Sequence, residues 1–254
     1  MPDVICSISN LTKLYGTFEA VSRISFDIHR GEIFSLLGPN GAGKTTTIRM
    51  LMGILRPSAG AARINGHDCF VEGPTVKRFV GYLPDDPIFY DYLTGREIIN
   101  FVGEMHGLGK EDIKRASTPL VGMLELEGDL DEYAANYSRG MKKKLALVCA
   151  LLHDPEFLIL DEPTNGLDPF ATRAVHNLLR EKIGEGKSVF FSTHLLDQAE
   201  KLSHRVGILY KGKLAAVGRL EELRAGLEAD SSLEEIFFAV ARPEGEVTES
   251  EAKQ

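Results

Sequence analysis

Residues 38–45 read "GPNGAGKT", and the fold follows from this octapeptide. Its spacing is GxxxxGK[ST]: Gly38 and Gly43 bracket four residues, and Lys44 and Thr45 follow. Glycines let successive backbone N–H groups turn inward around phosphates. A helix starting here adds its N-terminal partial positive charge. The pattern assigns Lys44 to the β- and γ-phosphates of a nucleotide, and the Thr45 hydroxyl to Mg²⁺. Gly38, Pro39, Asn40, Gly41, Ala42, Gly43, Lys44, Thr45 and Thr46 are the candidate nucleotide contacts.

The flanks agree with this reading. Ile33, Phe34, Leu36 and Leu37 make a short apolar run before the loop, suited to a buried strand. After it, Ile48, Leu51, Met52 and Leu55 fall on one side of a helix over about 46–55, which Pro57 and Gly60 end. Further strand–helix alternation follows. "EFLILDEP" (156–163) and "SVFFSTH" (188–194) are apolar runs, with a helical pattern between them at 170–184. Strands alternating with helices predict a parallel sheet buried on both faces.

Between those units, residues 90–152 read as mainly helical, within an insertion at about 86–152. Thr94 and Glu97 form a capping box ahead of Ile98, Ile99, Phe101, Val102 and Met105. Met141, Leu145, Val148 and Leu152 form a second apolar stripe, which leaves Lys142, Lys143 and Lys144 on a solvated face. Upstream, "VICSIS" and "AVSRISFDIH" have strand character. Near the end, "RVGILYKGKLAAVG" reads as a hairpin turning at Lys211 and Gly212, and "SLEEIFFAVA" as a helix. The acidic stretch 241–254 is expected to be disordered.

Bulk properties exclude several classes. The chain has 254 residues, 43% hydrophobic and 26% charged, which suits one large domain with a substantial core. A formal charge of −8 gives no footprint for nucleic acid, and none is expected as a partner. Cys6, Cys69 and Cys149 are far apart and include no CxxC, so they are expected to pack as small hydrophobes in a reducing cytosol. The first ten residues lack the pattern of a signal peptide. The longest clean apolar run, 145–152, is far short of the roughly 18–20 residues that span a bilayer.

Two strand ends carry further chemistry. Asp161 and Glu162 close "LILDE", where a carboxylate can stand beside a phosphate-bound Mg²⁺. Asp161 suits the metal, and Glu162 suits the water that attacks the γ-phosphate. His194 ends "VFFST" on the edge where α/β sheets bind ligands, which favours a contact to the γ-phosphate.

The order of the phosphate loop, "YSRGM" (137–141), "LILDEPTNGLDP" (158–169) and "STH" (192–194) resembles the ATP-binding subunit of an ABC transporter, over about residues 4–240. The resemblance implies an α/β P-loop NTPase core with an N-terminal antiparallel β subdomain and a helical insertion at about 86–152. It implies a single domain over 1–240, with a hairpin and helix at about 205–240. It also implies an ATPase using ATP and Mg²⁺, with Tyr15 stacked on adenine and Glu162 and His194 catalytic. Gly166, Leu167 and Asp168 match the family's D-loop. Ser138 and Gly140 match its signature, usually LSGGQ, which covers the ATP of a partner subunit in a head-to-tail homodimer or mixed pair.

Two departures stand out. Asp85 in "GYLPDDP" occupies the place of the family's coupling-loop glutamine, and a carboxylate there is a candidate Mg²⁺ ligand. Tyr137, Arg139 and Met141 replace Leu, Gly and Gln of the signature. Two placements are open to Arg139: outward, or toward the phosphates. "GYLPDDPIFYDYLTGRE" (81–97) and "SLEEIFFAV" (232–240) resemble bacterial exporters of drugs, lipids or polysaccharides, which act through separate transmembrane permeases at the cytoplasmic membrane face. DNA-repair ATPases with a similar head interrupt it with long coiled coils, and no heptad series divides this one. Translation-associated relatives usually carry two heads, whereas this chain carries one.

Overall fold

The computed structural model describes residues 3–224 and 232–241. Of the stretch 241–254, expected above to be disordered, Ala241 ends a helix, and 242–254 lie outside the described residues. The chain opens with two long strands, β1 (Val4–Tyr15) and β2 (Phe18–His29), paired antiparallel through a tight turn at Gly16. β3 (Ile33–Leu37) leads to the phosphate loop and to helix α1 (Lys44–Leu51). β4 (Ala59–Ile64) and β5 (His67–Asp68) complete a four-stranded antiparallel sheet in the order β2-β1-β4-β5.

A second sheet follows. The short helix α2 (Gly73–Val76) leads into β6 (Val80–Leu83). Then come the helices α3 (Gly95–Met105), α4 (Lys110–Met123) and α5 (Arg139–Leu151), which stand between β6 and β7 (Phe157–Asp161). Helix α6 (Pro169–Gly184), β8 (Ser188–Thr193), α7 (Leu196–Leu202), β9 (Arg205–Tyr210) and β10 (Lys213–Gly218) close the core. Two short helices, α8 (Leu220–Arg224) and α9 (Leu233–Ala241), lie beyond it. The sheet order is β10-β9-β3-β8-β7-β6, parallel except for β10. At the β9–β10 turn both Lys211 (φ 46°) and Gly212 (φ 77°) have positive φ, as a two-residue hairpin of matched twist requires.

The central strands β3, β7 and β8 are buried at every residue, as a sheet covered on both faces demands. On one face α1 lies between the two sheets. Ile48 and Leu51 pack there with Ile24 and with a stack in which Phe26 and Phe34 are 5.0 Å apart, Phe190 beside them. Burying such a ring contributes roughly 1.5–3 kcal/mol. On the other face α3, α4 and α5 share a core with α6 and with Leu158, Leu160, Val189 and Phe191. All three cysteines are buried, and burial pushes the Cys69 and Cys149 thiols up to about 12.

Two elements depart from the pattern reading. Helix α1 stops at Leu51 rather than near Leu55. Gly53 (φ 64°) is the cause: its N–H donates to the Met50 carbonyl and that of Ile54 to the Arg49 carbonyl, the bonds of a Schellman cap. A side chain at Gly53 would also run into the Cys69 carbonyl. The second departure is Lys143, which is 0% exposed rather than on a solvated face. Helix α5 has no solvated face in its second half, because every residue from Leu145 to Leu151 is buried.

Candidate functional site

The parallel strands end in register, and this places the site. Leu37 of β3 pairs with Thr193 of β8, Asp161 of β7 with Ser192, and Leu83 of β6 with Leu160. The phosphate loop, the Asp161–Glu162 pair, His194 and the loop carrying Asp85 therefore all leave the same edge of the sheet. The Gly38 N–H is anchored to the Thr193 carbonyl at 3.1 Å. Gly43 has φ 108°, and a Cβ there would lie 2.6 Å from the Ala20 carbonyl oxygen, so only glycine fits between β2 and α1. Gly43 is the N-cap of α1, no side chain caps the helix, and its first turn carries no acid. These are the conditions under which a helix start attracts an anion.

Lys44 is 6% exposed, and its ammonium donates to the carbonyls of Gly38 (2.7 Å) and Pro39 (3.3 Å). It pairs with Glu162 Oε1 at 3.2 Å. The other carboxylate oxygen, Oε2, lies 2.9 Å from His194 Nδ1. The structure thus brings Lys44, Glu162 and His194 into one cluster.

Asp161 is 1% exposed. Its Oδ1 accepts from Ser192 Oγ at 2.5 Å, while Oδ2 is buried with no protein partner. Burial pushes this carboxyl above its ordinary range, with Asp85 and Glu162 adding in the same direction, while hydrogen bonds from Ser192 and Thr45 oppose. A raised carboxyl is held in its disfavoured form at neutral pH. That costs stability, and the cost is relieved as pH falls through the raised value.

Asp85 is turned toward cations of the chain itself. Its Oδ1 meets Lys143 Nζ at 3.2 Å, Arg139 at 3.5 Å and Asn165 Nδ2 at 3.2 Å. This settles the side chain of Arg139: it crosses Gly166 and points at Asp85. Ser138 is the N-cap of α5 and accepts from the Met141 N–H at 3.2 Å. Among the described residues no hydrogen bond joins Ser138 or Gly140 to the phosphate loop. Tyr15 stands half-exposed at the end of the β1–β2 hairpin, with Lys13 Nζ 5.2 Å from its ring centre. Sequence reasoning missed Lys143, Asn165 and Ser192 as parts of this site, although each lies in or beside a motif it quoted.

Comparisons with known proteins identify the family. A family model described as ABC transporter matches residues 21–165. An uncharacterised ABC transporter ATP-binding protein, YxlF of Bacillus subtilis, is 40% identical over 218 residues, covering 86% of this chain and 72% of that protein. The Nod factor export ATP-binding protein I of Paraburkholderia xenovorans is 37% identical, covering 93% of this chain and 78% of its own. A solved ATP-binding subunit of an ABC transporter superposes with a TM-score of 0.88 at 33% identity, covering 94% of this chain and all of its own. The chain belongs to the ABC transporter family, as one of its ATP-binding, ATP-hydrolysing proteins.

Proposed function

We propose that this ATPase powers export through a separate transmembrane permease, working as a head-to-tail pair at the cytoplasmic face of the membrane. The observation that carries the paired reading is the separation of the two half-sites. Lys44, Glu162 and His194 form one cluster, while the capped start of α5 makes no bond to it within the chain. The Ser138 hydroxyl and the Gly140 amide are placed to cover the open side of an ATP held by a second chain. Tyr15, half-exposed, is available to stack on the adenine.

Within one half-site the roles follow from contacts. Lys44 and the first-turn amides of α1 bind the β- and γ-phosphates. Glu162 takes the proton of the attacking water, and His194, 2.9 Å from it, steadies the carboxylate and contacts the γ-phosphate. The residues fit Mg²⁺: Asp161 Oδ2 is a buried acceptor without a partner, and Thr45 acts on the same carboxylate. Mg²⁺ commonly takes one or two protein ligands and completes its shell with water and phosphate. Thr45 and Asp161 would hold it, and it would neutralise charge on the phosphates. Asp85 remains a further candidate, although its Oδ1 already faces three donors. Asp161→Asn tests the assignment. Loss of a buried charge and gain of an unpaired buried amide offset, each on the order of 1–3 kcal/mol. Melting without nucleotide should move little, while Mg²⁺-dependent phosphate release falls at least about 100-fold. Retained turnover would remove Asp161 from the metal.

A permease needs a docking face. A cavity of about 1130 Å³ runs between the core and the helices, lined by Ile54, Ile88, Phe89, Met105 and Leu108 among others. Ile88 is 89% exposed and Met105 73%, a large apolar surface beside the Asp85 loop. His106 and His153 stack 3.8 Å apart at its wall, and burial lowers both, His153 to about 4, while Lys77 and Arg78 line the same cavity. Among the described residues no helix is long and apolar enough to cross a membrane. The export direction is supported by the Nod factor relative's name. Ile88→Asp and Met105→Asp should leave basal ATPase activity unchanged and reduce co-purification with detergent-extracted membrane protein at least about tenfold, about 1.4 kcal/mol. Undiminished co-purification would move the docking face elsewhere.

A further inference from the structure

We propose that Lys143 is a positioning residue for hydrolysis, fixing the backbone of Glu162 from beneath and tying it to the Asp85 loop. The proposal rests on Glu162 being the base. It starts from a buried cation that core packing does not explain: the side chain of Lys143 is 0% exposed on a helix otherwise buried through apolar residues. Its ammonium has two acceptors, the Glu162 carbonyl at 2.7 Å and Asp85 Oδ1 at 3.2 Å.

Glu162 needs such a support. Its φ is 47°, in the left-handed region, which a side chain other than glycine's adopts at a cost. Such a conformation persists where the surroundings over-determine it. Both sides of this residue's backbone are held: its N–H donates to Ser192 Oγ at 3.0 Å, and its carbonyl accepts from Lys143. The carboxylate is thereby aimed at Lys44 and His194 rather than away from the sheet edge.

The second acceptor gives Lys143 a further consequence. Asp85 Oδ1 is shared among Lys143, Arg139 and Asn165, so three segments converge on one oxygen: the start of α5, the stretch just after Glu162, and the loop after β6. A displacement of the Asp85 loop changes how the ammonium divides between its two acceptors, and so how firmly Glu162 is held. Burial pushes the Lys143 amine below its ordinary value, and Asp85 is the strongest opposing influence, which marks the pair as what keeps the cation in place.

The test is Lys143→Met in the full chain, with phosphate release, KM for ATP and affinity for a fluorescent ATP analogue measured alongside Glu162→Gln. The expected result is a kcat at least tenfold lower, with KM and analogue affinity within twofold, because the phosphate-binding residues are untouched. In an Asp85→Asn background Lys143→Met should still lower kcat at least threefold, since the Glu162 carbonyl is a separate acceptor. A folded Lys143→Met protein with kcat within twofold of the parent overturns the proposal. So does a kcat loss matched by an equal loss of analogue affinity, which marks general damage. Should Lys143→Met not fold, Lys143→Leu, which likewise removes the donor, is judged by the same criteria. Normal turnover by Glu162→Gln instead removes the base assignment itself, a result separable from any outcome at Lys143.

Discussion

Glu162→Gln leaves nucleotide binding intact and lowers phosphate release by a factor of about 10²–10⁴, the range a positioned general base supplies. The geometry argues for both halves of this result. Glu162 is only 7% exposed, and its two oxygens are engaged by Lys44 at 3.2 Å and His194 at 2.9 Å. Glutamine keeps the shape and one acceptor oxygen, so the cluster does not collapse. It removes the negative charge that competes with phosphate for Lys44, so affinity for ATP should hold or rise. It cannot take a proton from water. ATP then persists in the site, and a paired state that depends on ATP should accumulate. The measurements are phosphate release and size-exclusion chromatography with ATP and Mg²⁺. Normal release would disqualify Glu162 as the base, whatever happens to the pairing.

The parts of this site that the sequence exposes are those whose chemistry is local. The phosphate loop is legible because its glycines answer to backbone geometry within eight residues, and Gly43 does sit where no Cβ fits. Asp161 and Glu162 are legible because an apolar run that ends in acids can only deliver them to a sheet edge. The Thr94 capping box is likewise formed, with the Thr94 side chain accepting from the Glu97 N–H and Glu97 accepting from the Thr94 N–H. Lys143 is illegible for the opposite reason. A 3.6-residue stripe separates an inside from an outside only when a helix has both, and α5 is enclosed by β6, α3 and α4. The partners that make its burial tolerable, Asp85 and the Glu162 carbonyl, are 58 and 19 positions away. The donors around Asp85 are hidden by the same distance: Lys143, Arg139 and Asn165 lie on segments that only the fold brings to it. The early end of α1 is a milder case. Glycine can cap a helix C-terminus, but at Gly53 the apolar spacing continues to Leu55 and hides the stop.

Gly140→Asp should separate the signature's two meanings, helix cap and half of a shared ATP site. In the single chain a Cβ at Gly140 would lie 3.5 Å from the Gly166 carbonyl oxygen and 3.6 Å from Leu167 Cδ2, ordinary contacts that need no rearrangement. A carboxylate in the first turn of α5 is favourable toward the helix N-terminus by about 0.3–1 kcal/mol. The isolated chain should therefore keep its melting temperature within a few degrees and its ATP affinity within about twofold. The paired state meets a different field. There the same carboxylate faces the γ-phosphate on the other chain, and two unit charges about 4 Å apart repel by about 1–4 kcal/mol across the dielectric range of a protein surface. At about 1.4 kcal/mol per factor of ten, closure weakens by roughly one to three orders of magnitude. The clearest measurement is chromatography in the Glu162→Gln background, where the ATP-bound pair should be trapped when Gly140 is present and lost when aspartate replaces it. A pair that survives the added charge would confine Ser138 and Gly140 to capping α5, and would send the search for the second half of the site elsewhere on the chain.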